Sequence, residues 1–494
     1  MNRPLRHIAI FCGLLMLALL VRANWVQYAQ REELATHEHN RRVKITQFAT
    51  PRGDIIVDGK AITGSKAVDG TDFKYQRTFK QGAMYAPVTG YASQAQGMSL
   101  LENTYDSILS GQDERFAFQQ AKDMLTGEKR RAGDVITTID PKAQEAAYKG
   151  LTELDARGAV VALDPATGKV LALVSTPSYD PSAFAGNSFK EGDKFQALVD
   201  DKGKPLANRP LRETFPPGST FKILTAAAAL EHGVVTDVDA KTDAVSPYPL
   251  PLSSSKISSE AGDATCNKAS MKTAMQFSCN NVFLDAAVKV GDKGMRETAE
   301  KFGFNADVYS EDFGDMLASK SLYPEKLDKP GTALTGMGQG SLTSTPMQMA
   351  MITAALANDG KLMQPYIVDK LQGPDLSVLE EHEPQLKSQA VSEETAKKVQ
   401  EMMEFTATDG SAKRALIDGV TVGGKTGTAQ RGDDVSKEVP YGWFVSYGKK
   451  SDGKSVAVAV FIDPTAMDIS RSDISGGGLG GPIAKDVMKA VLGK

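Results

Sequence analysis

The first feature in the hydrophobic pattern is a continuous apolar run from Ile8 to Val21, preceded by Arg3, Arg6 and His7 and followed by Arg22, Trp25 and Tyr28. Its 14 residues are short for a span and suit the core of a signal peptide, and Val21-Arg22-Ala23 offers a cleavage site. Snorkelling arginines and an interfacial Trp/Tyr belt favour an uncleaved anchor instead. In either case the positive charges stay inside and the bulk of the chain is exported. Residues 1–28 are therefore expected to form a cytoplasmic stub and a single transmembrane helix.

From 29 to 133 the pattern is polar and turn-rich, with short strand-like pieces such as Asp54-Ile55-Ile56-Val57 and a tight turn at Asp58-Gly59. This reads as a smaller, mixed or β-rich N-terminal domain. At Asp134 the texture changes. Val135–Ile139 reads as a strand, and Asp140-Pro141 opens a helix to about Leu154 with an N-cap and a proline at its first position. Gly158–Leu163 and Lys169–Ser175 are apolar strands joined by the turn Asp164-Pro165-Ala166-Thr167-Gly168. Tyr441–Tyr447 and Ser455–Ile462 form another strand pair, and Gly476–Gly481 precede a last helix that Pro482 is expected to start. Between them, Thr345-Pro346-Met347-Gln348 reads as a capping box whose helix ends at Asn358-Asp359-Gly360. Strands at both ends with helices between predict an α+β domain over 134–494, its antiparallel sheet edged by distant parts of the chain.

Composition changes this picture little. The chain is 41% hydrophobic and 24% charged with net charge −4, as befits a globular protein with a core, and it lacks the basic footprint of a nucleic-acid partner. Cys12 lies in the apolar run. Cys266 and Cys279 either pair outside the cell or remain two buried thiols. His37-x-His39 reads as a solvated loop, because no third ligand accompanies it. No HExxH and no calcium-loop spacing occurs, so no metal site is expected.

The chemistry concentrates at Pro216-Pro217-Gly218-Ser219-Thr220-Phe221-Lys222, which precedes an almost wholly apolar helix ending near Gly233. Such a helix is buried, so Lys222 is a charge in the first turn of a core helix, on the same face as Ser219. Burial favours the neutral amine, which can take the serine proton. The helix N-terminus offers N–H groups where negative charge develops. Ser-x-x-Lys alone is weak. It starts also at Ser253, Ser446 and Ser451, where chance expects roughly two occurrences in all. Only Ser219 opens a buried helix. Ser278-Cys279-Asn280 is the only Ser-x-Asn, and Lys425-Thr426-Gly427 the only Lys-Thr-Gly, within a strand-like stretch from Val420 to Gln430. The histidines at 7, 37, 39, 232 and 382 lie in no site-like context, which disfavours a Ser-His-Asp triad.

This ordered trio resembles the S-x-x-K, S-D-N and K-T-G motifs of penicillin-binding proteins. Gly338-Gln339-Gly340 with Pro346, Met349 and Ala350 resembles a segment of the same family. Pro51-Arg52-Gly53-Asp54-Ile55, Leu100-Leu101-Glu102 and Tyr105-Asp106 are similar to the class B, monofunctional members, nearest the actinobacterial penicillin-binding protein A group. Cys279 departs from the pattern's Asp. The resemblance implies a transpeptidase domain with a serine β-lactamase-like fold on an N-terminal pedestal or interaction domain. It also implies a peptidoglycan D,D-transpeptidase that works without cofactor and is inhibited covalently by β-lactams. In it Ser219 would be the nucleophile, Lys222 the base, Ser278 with Lys425 a proton relay, and Asn280 a support for Lys222 and the donor peptide. Lys425, Thr426, Gly427 and Thr428 would bind the substrate, its terminal carboxylate included, and the N–H groups of Ser219 and Thr428 would form an oxyanion hole. The implied partners are stem peptides, β-lactams, the cell membrane and a SEDS-type glycan polymerase, whose contact surface could include Met84, Tyr85, Tyr91 and Met98 if these are not core. A D,D-carboxypeptidase shares the acyl-enzyme. A class A β-lactamase would need an E-x-x-L-N run, which is missing, and a sensor or scaffold need not keep Ser219, Lys222 and Lys425 together.

Overall fold

The computed structural model describes residues 3–494 apart from 31–32, 35–40, 70–71, 118–121, 123–124, 127–131, 307–317, 433–437, 468 and 471–473. The His37-x-His39 pair lies outside the described residues. The apolar run extends both ways into helix α1 (Arg3–Ala29), 27 residues with none buried. At 1.5 Å per residue it reaches about 40 Å, more than a hydrocarbon core requires. Among the described residues it is the one helix long and apolar enough to cross a membrane.

Strands β1 (Ile55–Val57) and β2 (Lys60–Ala61) form a hairpin. Asp58 and Gly59 both have positive φ, 47° and 70°, the mirror-image turn whose twist matches a hairpin. Strand β3 (Asp134–Thr137) leads into helix α2 (Pro141–Glu153), whose cap Asp140 accepts hydrogen bonds from the N–H groups of Lys142 and Ala143. Then follow β4 (Arg157–Leu163), β5 (Val170–Thr176), α3 (Lys222–Glu231) and α4 (Asn280–Lys301), which is broken at Gly291 (φ 82°). Helix α5 (Pro346–Ala357), strands β6 (Val368–Gln372) and β7 (Val378–Glu381) and helix α6 (Glu393–Asp409) come next. Strands β8 (Thr421–Ala429), β9 (Tyr441–Lys449) and β10 (Ser455–Asp463) and helix α7 (Gly476–Leu492) complete the order.

Two five-stranded sheets result. In the first, β7-β6-β3-β1-β2, strand β3 runs parallel to β1 and antiparallel to β6, so strands from either side of position 134 share one sheet. The second, β8-β9-β10-β4-β5, is antiparallel throughout, with the distant segments 421–429 and 170–176 at its edges. Alternation divides β9 and β10 between two cores. Trp443, Val445, Tyr447, Ala457, Ala459 and Phe461 pack with α3 and α5 on one face, while Phe444, Val456, Val458, Val460 and Ile462 meet α2 and α7 on the other.

Two helix starts differ from the sequence expectation. Helix α7 begins at Gly476, capped by Ser475, and Pro482 lies inside it. A Cβ on Gly476 would fall 1.8 Å from Trp443 O and one on Gly480 2.7 Å from Phe444 Cβ, so the glycines press the helix onto the sheet. Pro482 has no N–H to give Gly478 O, which accepts instead from Arg414 Nη1 at 3.1 Å. At α5, Thr345 accepts from Gln348 N as a cap should, but the reciprocal half of the box is absent. The Gln348 amide donates to Phe302 O, and Thr345 N donates to Ser321 Oγ.

Residues that carry the N-terminal resemblance meet in space. Arg52 pairs with Glu102 at 3.1 Å and with Asp106 at 2.6 Å, and Arg77 pairs with Glu102 at 2.6 Å, all three of Arg52, Arg77 and Glu102 being buried. Met84 and Tyr85 are core, Tyr91 packs edge-on against Tyr179, Phe184 and Phe195, and Met98 packs on the Phe48–Phe73 cluster. Core packing thus accounts for Met84 and Tyr85, while Tyr91 and Met98 are half-buried against their clusters. Glu102→Ala should destabilise the protein by about 3–5 kcal/mol, because Arg77 keeps its charge and loses its nearest carboxylate. Denaturant unfolding of the full chain measures this, and a loss below about 1 kcal/mol would mean that water takes the carboxylate's place.

Candidate active site

Ser219 sits in a short 3-10 turn, Gly218–Phe221, that runs directly into α3. In this tighter winding, side chains three apart eclipse, which sets Ser219 and Lys222 on one side. Gly218 has φ 54°, and its N–H donates to Gly338 O at 2.9 Å. A Cβ on Gly338 would fall 2.0 Å from Gly218 O, and one on Gly427 would fall 2.9 Å from Thr220 Cγ2 and 3.1 Å from Thr220 N. Glycines therefore let the 338–340 segment and the edge strand β8 close on the start of α3. Trp443 Nε1 donates to Pro216 O at 3.0 Å and fixes the approach to the turn.

Lys222 is wholly buried. Its Nζ donates to Ser278 O at 2.7 Å and to Asn280 Oδ1 at 2.8 Å, and lies 3.1 Å from Ser278 Oγ. Asn280 Nδ2 donates to Ser258 O at 2.9 Å, which turns its Oδ1 toward the lysine. Lys425, also buried, reaches Ser278 Oγ at 3.0 Å and Thr426 O at 2.9 Å. Ser278 Oγ thus bridges two buried amines. Burial, reinforced by the Lys425 charge, holds Lys222 well below the ordinary lysine range. Burial brings Lys425 down to about 7, against the upward pull of Glu260.

Ser278 has φ 57° and ψ 39°, a left-handed conformation uncommon for serine. It ends the helix Met271–Phe277, and Cys279 then caps α4. Cys279 is disulfide-bonded to Cys266, with Cα atoms 5.4 Å apart, which decides between the two readings of these thiols. Closing a loop of this length contributes about 3 kcal/mol in the chain-entropy model. Here it ties the strained Ser278 to the segment Asp263–Cys266. Asn281 Nδ2 adds bonds to Ala244 O and Cys266 O, both at 2.8 Å.

A cleft of about 310 Å³ is lined by Ser219, Ser278, Asn280 and Thr428. Lys222 and Lys425 lie beneath it, joined to it through Ser278. Thr426 and Thr428 alternate with Lys425 and Gly427 along β8, whose outer edge has no sheet neighbour among the described residues. Thr426 Oγ1 lies 3.0 Å from Ser411 Oγ. Six of the eight residues singled out from the sequence therefore meet around one cleft and its floor, and Thr426 and Gly427 lie between two of them on β8. Sequence reasoning missed Lys256, Ser258, Glu260, Met337 and Gln430, which also line it. Lys256 and Ser258 belong to a serine run without periodicity; Lys256 closes the discounted Ser-x-x-Lys at Ser253, Gln430 ends the strand-like stretch, and Gln339 belongs to the Gly338-Gln339-Gly340 motif. His232 bonds Thr298 and His382 stacks on Tyr366, away from the cleft.

A hydroxyl at a helix start, beside buried amines of lowered basicity and a free strand edge, can run acyl transfer through a serine ester. The penicillin binding protein transpeptidase domain model matches residues 158–489, and the penicillin binding protein A dimerisation domain model matches residues 52–135. The chain belongs to the penicillin-binding transpeptidase family. It is 34% identical to the peptidoglycan D,D-transpeptidase PbpA of Mycolicibacterium smegmatis, over 100% of this chain and 99% of that protein. To the protein of the same name from Mycobacterium tuberculosis it is 35% identical with the same coverage. Among solved structures, penicillin-binding protein A of M. tuberculosis as a ceftriaxone acyl-enzyme complex matches with TM-score 0.85 and 34% identity, covering 91% of this chain and all of that one.

Gly338 and Gly340 both have positive φ, 76° and 78°, but the nearest atom to a Cβ on Gly340 is 3.5 Å away. Alanine at 340 should cost about 1 kcal/mol, and alanine at 338 about 1–3 kcal/mol more, because backbone must move. Thermal unfolding of the two variants makes the comparison, and equal losses would remove the contact with Gly218 as a constraint.

Proposed function

We infer that this protein is a peptidoglycan D,D-transpeptidase that cross-links stem peptides through an acyl-enzyme on Ser219 and is trapped by β-lactams at the same atom. The observation that carries this reading is Ser278 Oγ, set between Lys222 Nζ and Lys425 Nζ at the cleft that Ser219 lines. Ser219 Oγ attacks the carbonyl of the D-Ala–D-Ala bond, and neutral Lys222 takes its proton. The tetrahedral oxyanion sits between the N–H groups of Ser219 and Thr428. The C–N bond breaks and D-alanine leaves, its amine protonated through Ser278 from the lysine pair. Lys425, Thr426 and Thr428 hold the terminal carboxylate, while Gly427 lets the strand lie close, and Asn280 orients Lys222 and the donor backbone. An amine of a second stem peptide then attacks the ester, its nitrogen bonding the acyl carbon as the ester C–O bond breaks and its proton passes to Ser219 Oγ. Water in the amine's place would make the protein a D,D-carboxypeptidase.

In this reading residues 1–28 anchor the protein in the cell membrane, 29–133 form a pedestal and 134–494 the extracytoplasmic transpeptidase domain. The length and apolarity of α1 support a single-pass anchor. Glycan polymerisation comes from a partner, a SEDS-type polymerase in the same membrane.

A fluorescent penicillin should form a long-lived adduct on the full-length protein and none on Ser219→Ala, as seen by gel over hours. Rapid loss of the adduct would indicate a β-lactamase, and no adduct on the wild type would end the nucleophile assignment. The pH dependence has a definite sign. Lys222 acts neutral, so acylation by a peptide donor rises as pH climbs through its lowered pKa. Lys425 acts as a cation, so kcat/KM falls as pH passes about 7. Arginine stays charged, so Lys425→Arg should lose this alkaline limb, and a limb unchanged in that variant would assign it to another group.

A further inference from the structure

Of the described residues that line the catalytic cleft, Glu260 is the only acidic one. Its side chain is exposed and makes no hydrogen bond and no ion pair among the described residues. The next acid along the chain is already engaged: Asp263 accepts from Ser246 Oγ at 2.6 Å and from Ser258 Oγ at 3.3 Å. Lys256, exposed on the same wall, forms no ion pair among the described residues either.

The chain on either side holds Glu260 in place. Before it, Ser258 O accepts from Asn280 Nδ2 and the buried Ser259 Oγ accepts from Asn280 N, both at 2.9 Å. After it, Gly262 turns the chain with φ 88°, its N–H donating to Ser259 O at 3.0 Å, and Cys266 follows with its bond to Cys279. The wall that carries Glu260 is thus tied to the same Ser278–Asn280 segment that holds the two lysines. Its charge reaches them. Burial lowers both Lys222 and Lys425, the Lys425 charge lowers Lys222 further, and Glu260 pulls each the other way. The cleft, about 310 Å³, is at the small end of ligand sites, so a nucleophile approaching Ser219 passes close to Glu260.

Two nucleophiles compete for an ester on Ser219. Water is uncharged, whereas a primary amine arrives mostly as an ammonium ion. Lys222 and Lys425 beneath the cleft and Lys256 on its wall repel that cation. One unpaired carboxylate offsets the repulsion for the ammonium and does nothing for water. We propose that Glu260 is a specificity-determining residue that biases the acyl-enzyme toward the amine and away from water, and so sets the balance between cross-linking and trimming. The inference rests on the transpeptidase reading above. Beside Glu260 the ammonium gives one proton to bulk water. The neutral nitrogen then bonds the acyl carbon, the ester C–O bond breaks, and a second proton passes to Ser219 Oγ.

The test uses the full-length protein in detergent as wild type, Glu260→Gln, Glu260→Asp and Lys256→Gln. The acyl-enzyme from a synthetic D-Ala–D-Ala pentapeptide is partitioned between water and one of two nucleophiles, with products counted by mass spectrometry. One is a synthetic tripeptide bearing a basic side-chain amine; the other is hydroxylamine, which is uncharged at neutral pH. The ratio of transfer to hydrolysis is set after acylation, so it does not depend on how fast Ser219 acylates. Glu260→Gln should lower the tripeptide ratio about fivefold and leave the hydroxylamine ratio unchanged, Glu260→Asp should restore part of the loss, and Lys256→Gln should raise the tripeptide ratio. An unchanged tripeptide ratio in Glu260→Gln, or an equal fall for both nucleophiles, overturns the proposal and leaves the transpeptidase reading standing. Should Glu260→Gln fail to fold, an unchanged tripeptide ratio in Lys256→Gln overturns it instead. Absence of an acyl-enzyme on the wild type overturns the transpeptidase reading, and the proposal with it.

Discussion

The site depends on burying two amines with no carboxylate among the described residues in ion-pair contact with either. Desolvating a charged ammonium costs several kcal/mol even after relaxation, and here carbonyls and hydroxyls must meet that cost. Ser278 O, Asn280 Oδ1 and Thr426 O take the lysine protons. Each acceptor is itself held: Asn280 by Ser258 O, Thr426 by its place in the sheet, and Ser278 by a left-handed backbone tied down through the neighbouring disulfide. Strain of this kind persists only where the surroundings over-determine it.

Close approach is the second requirement, and glycine supplies it. Gly218, Gly338 and Gly427 bring three chain segments into contact at the start of α3, where a Cβ on 338 would collide with the Gly218 backbone and one on 427 with the Thr220 side chain. On the far side, Gly476 and Gly480 let α7 settle on β9 and β10. The sheet is thereby clamped between helices, and its edge strand β8 presents Thr426 and Thr428 at a fixed height beside Ser219.

Much of this was legible in the sequence because local chemistry and global fold agree. The caps at Asp140 and Thr345, the turn at Asp58-Gly59 and the β4–β5 hairpin follow from residue type alone. The trio of motifs located the site because buried charge beside a serine has few structural uses. Pro482 misled because a helix tolerates proline where another donor, here Arg414, serves the orphaned carbonyl. Gln348 misled because a tertiary acceptor, Phe302 O, outcompeted the local one. The Arg52–Glu102–Arg77 cluster left no periodic trace, since its members come from three separate segments. The wall formed by Lys256, Ser258 and Glu260 was hidden for the same reason: it is made by tertiary placement of a loop.

The shared oxygen of Ser278 has a consequence for proton bookkeeping. Its neighbours Lys222 and Lys425 are held within roughly 6 Å of each other, where two positive charges at an effective dielectric of about 20 repel by about 3 kcal/mol. A hydroxyl carries one proton, so it can accept from a charged lysine while donating to a neutral one. The pair is therefore most stable with one proton fewer than two ammonium ions would hold, and Ser278 conducts that vacancy between them. In the proposed mechanism a vacancy on Lys222 would let Ser219 lose its proton, and a filled Lys425 would hold the carboxylate. When the leaving amine needs a proton, Lys222 has just received one. The same buried, unpaired geometry that is costly for folding thus suits the two halves of the proposed acyl transfer.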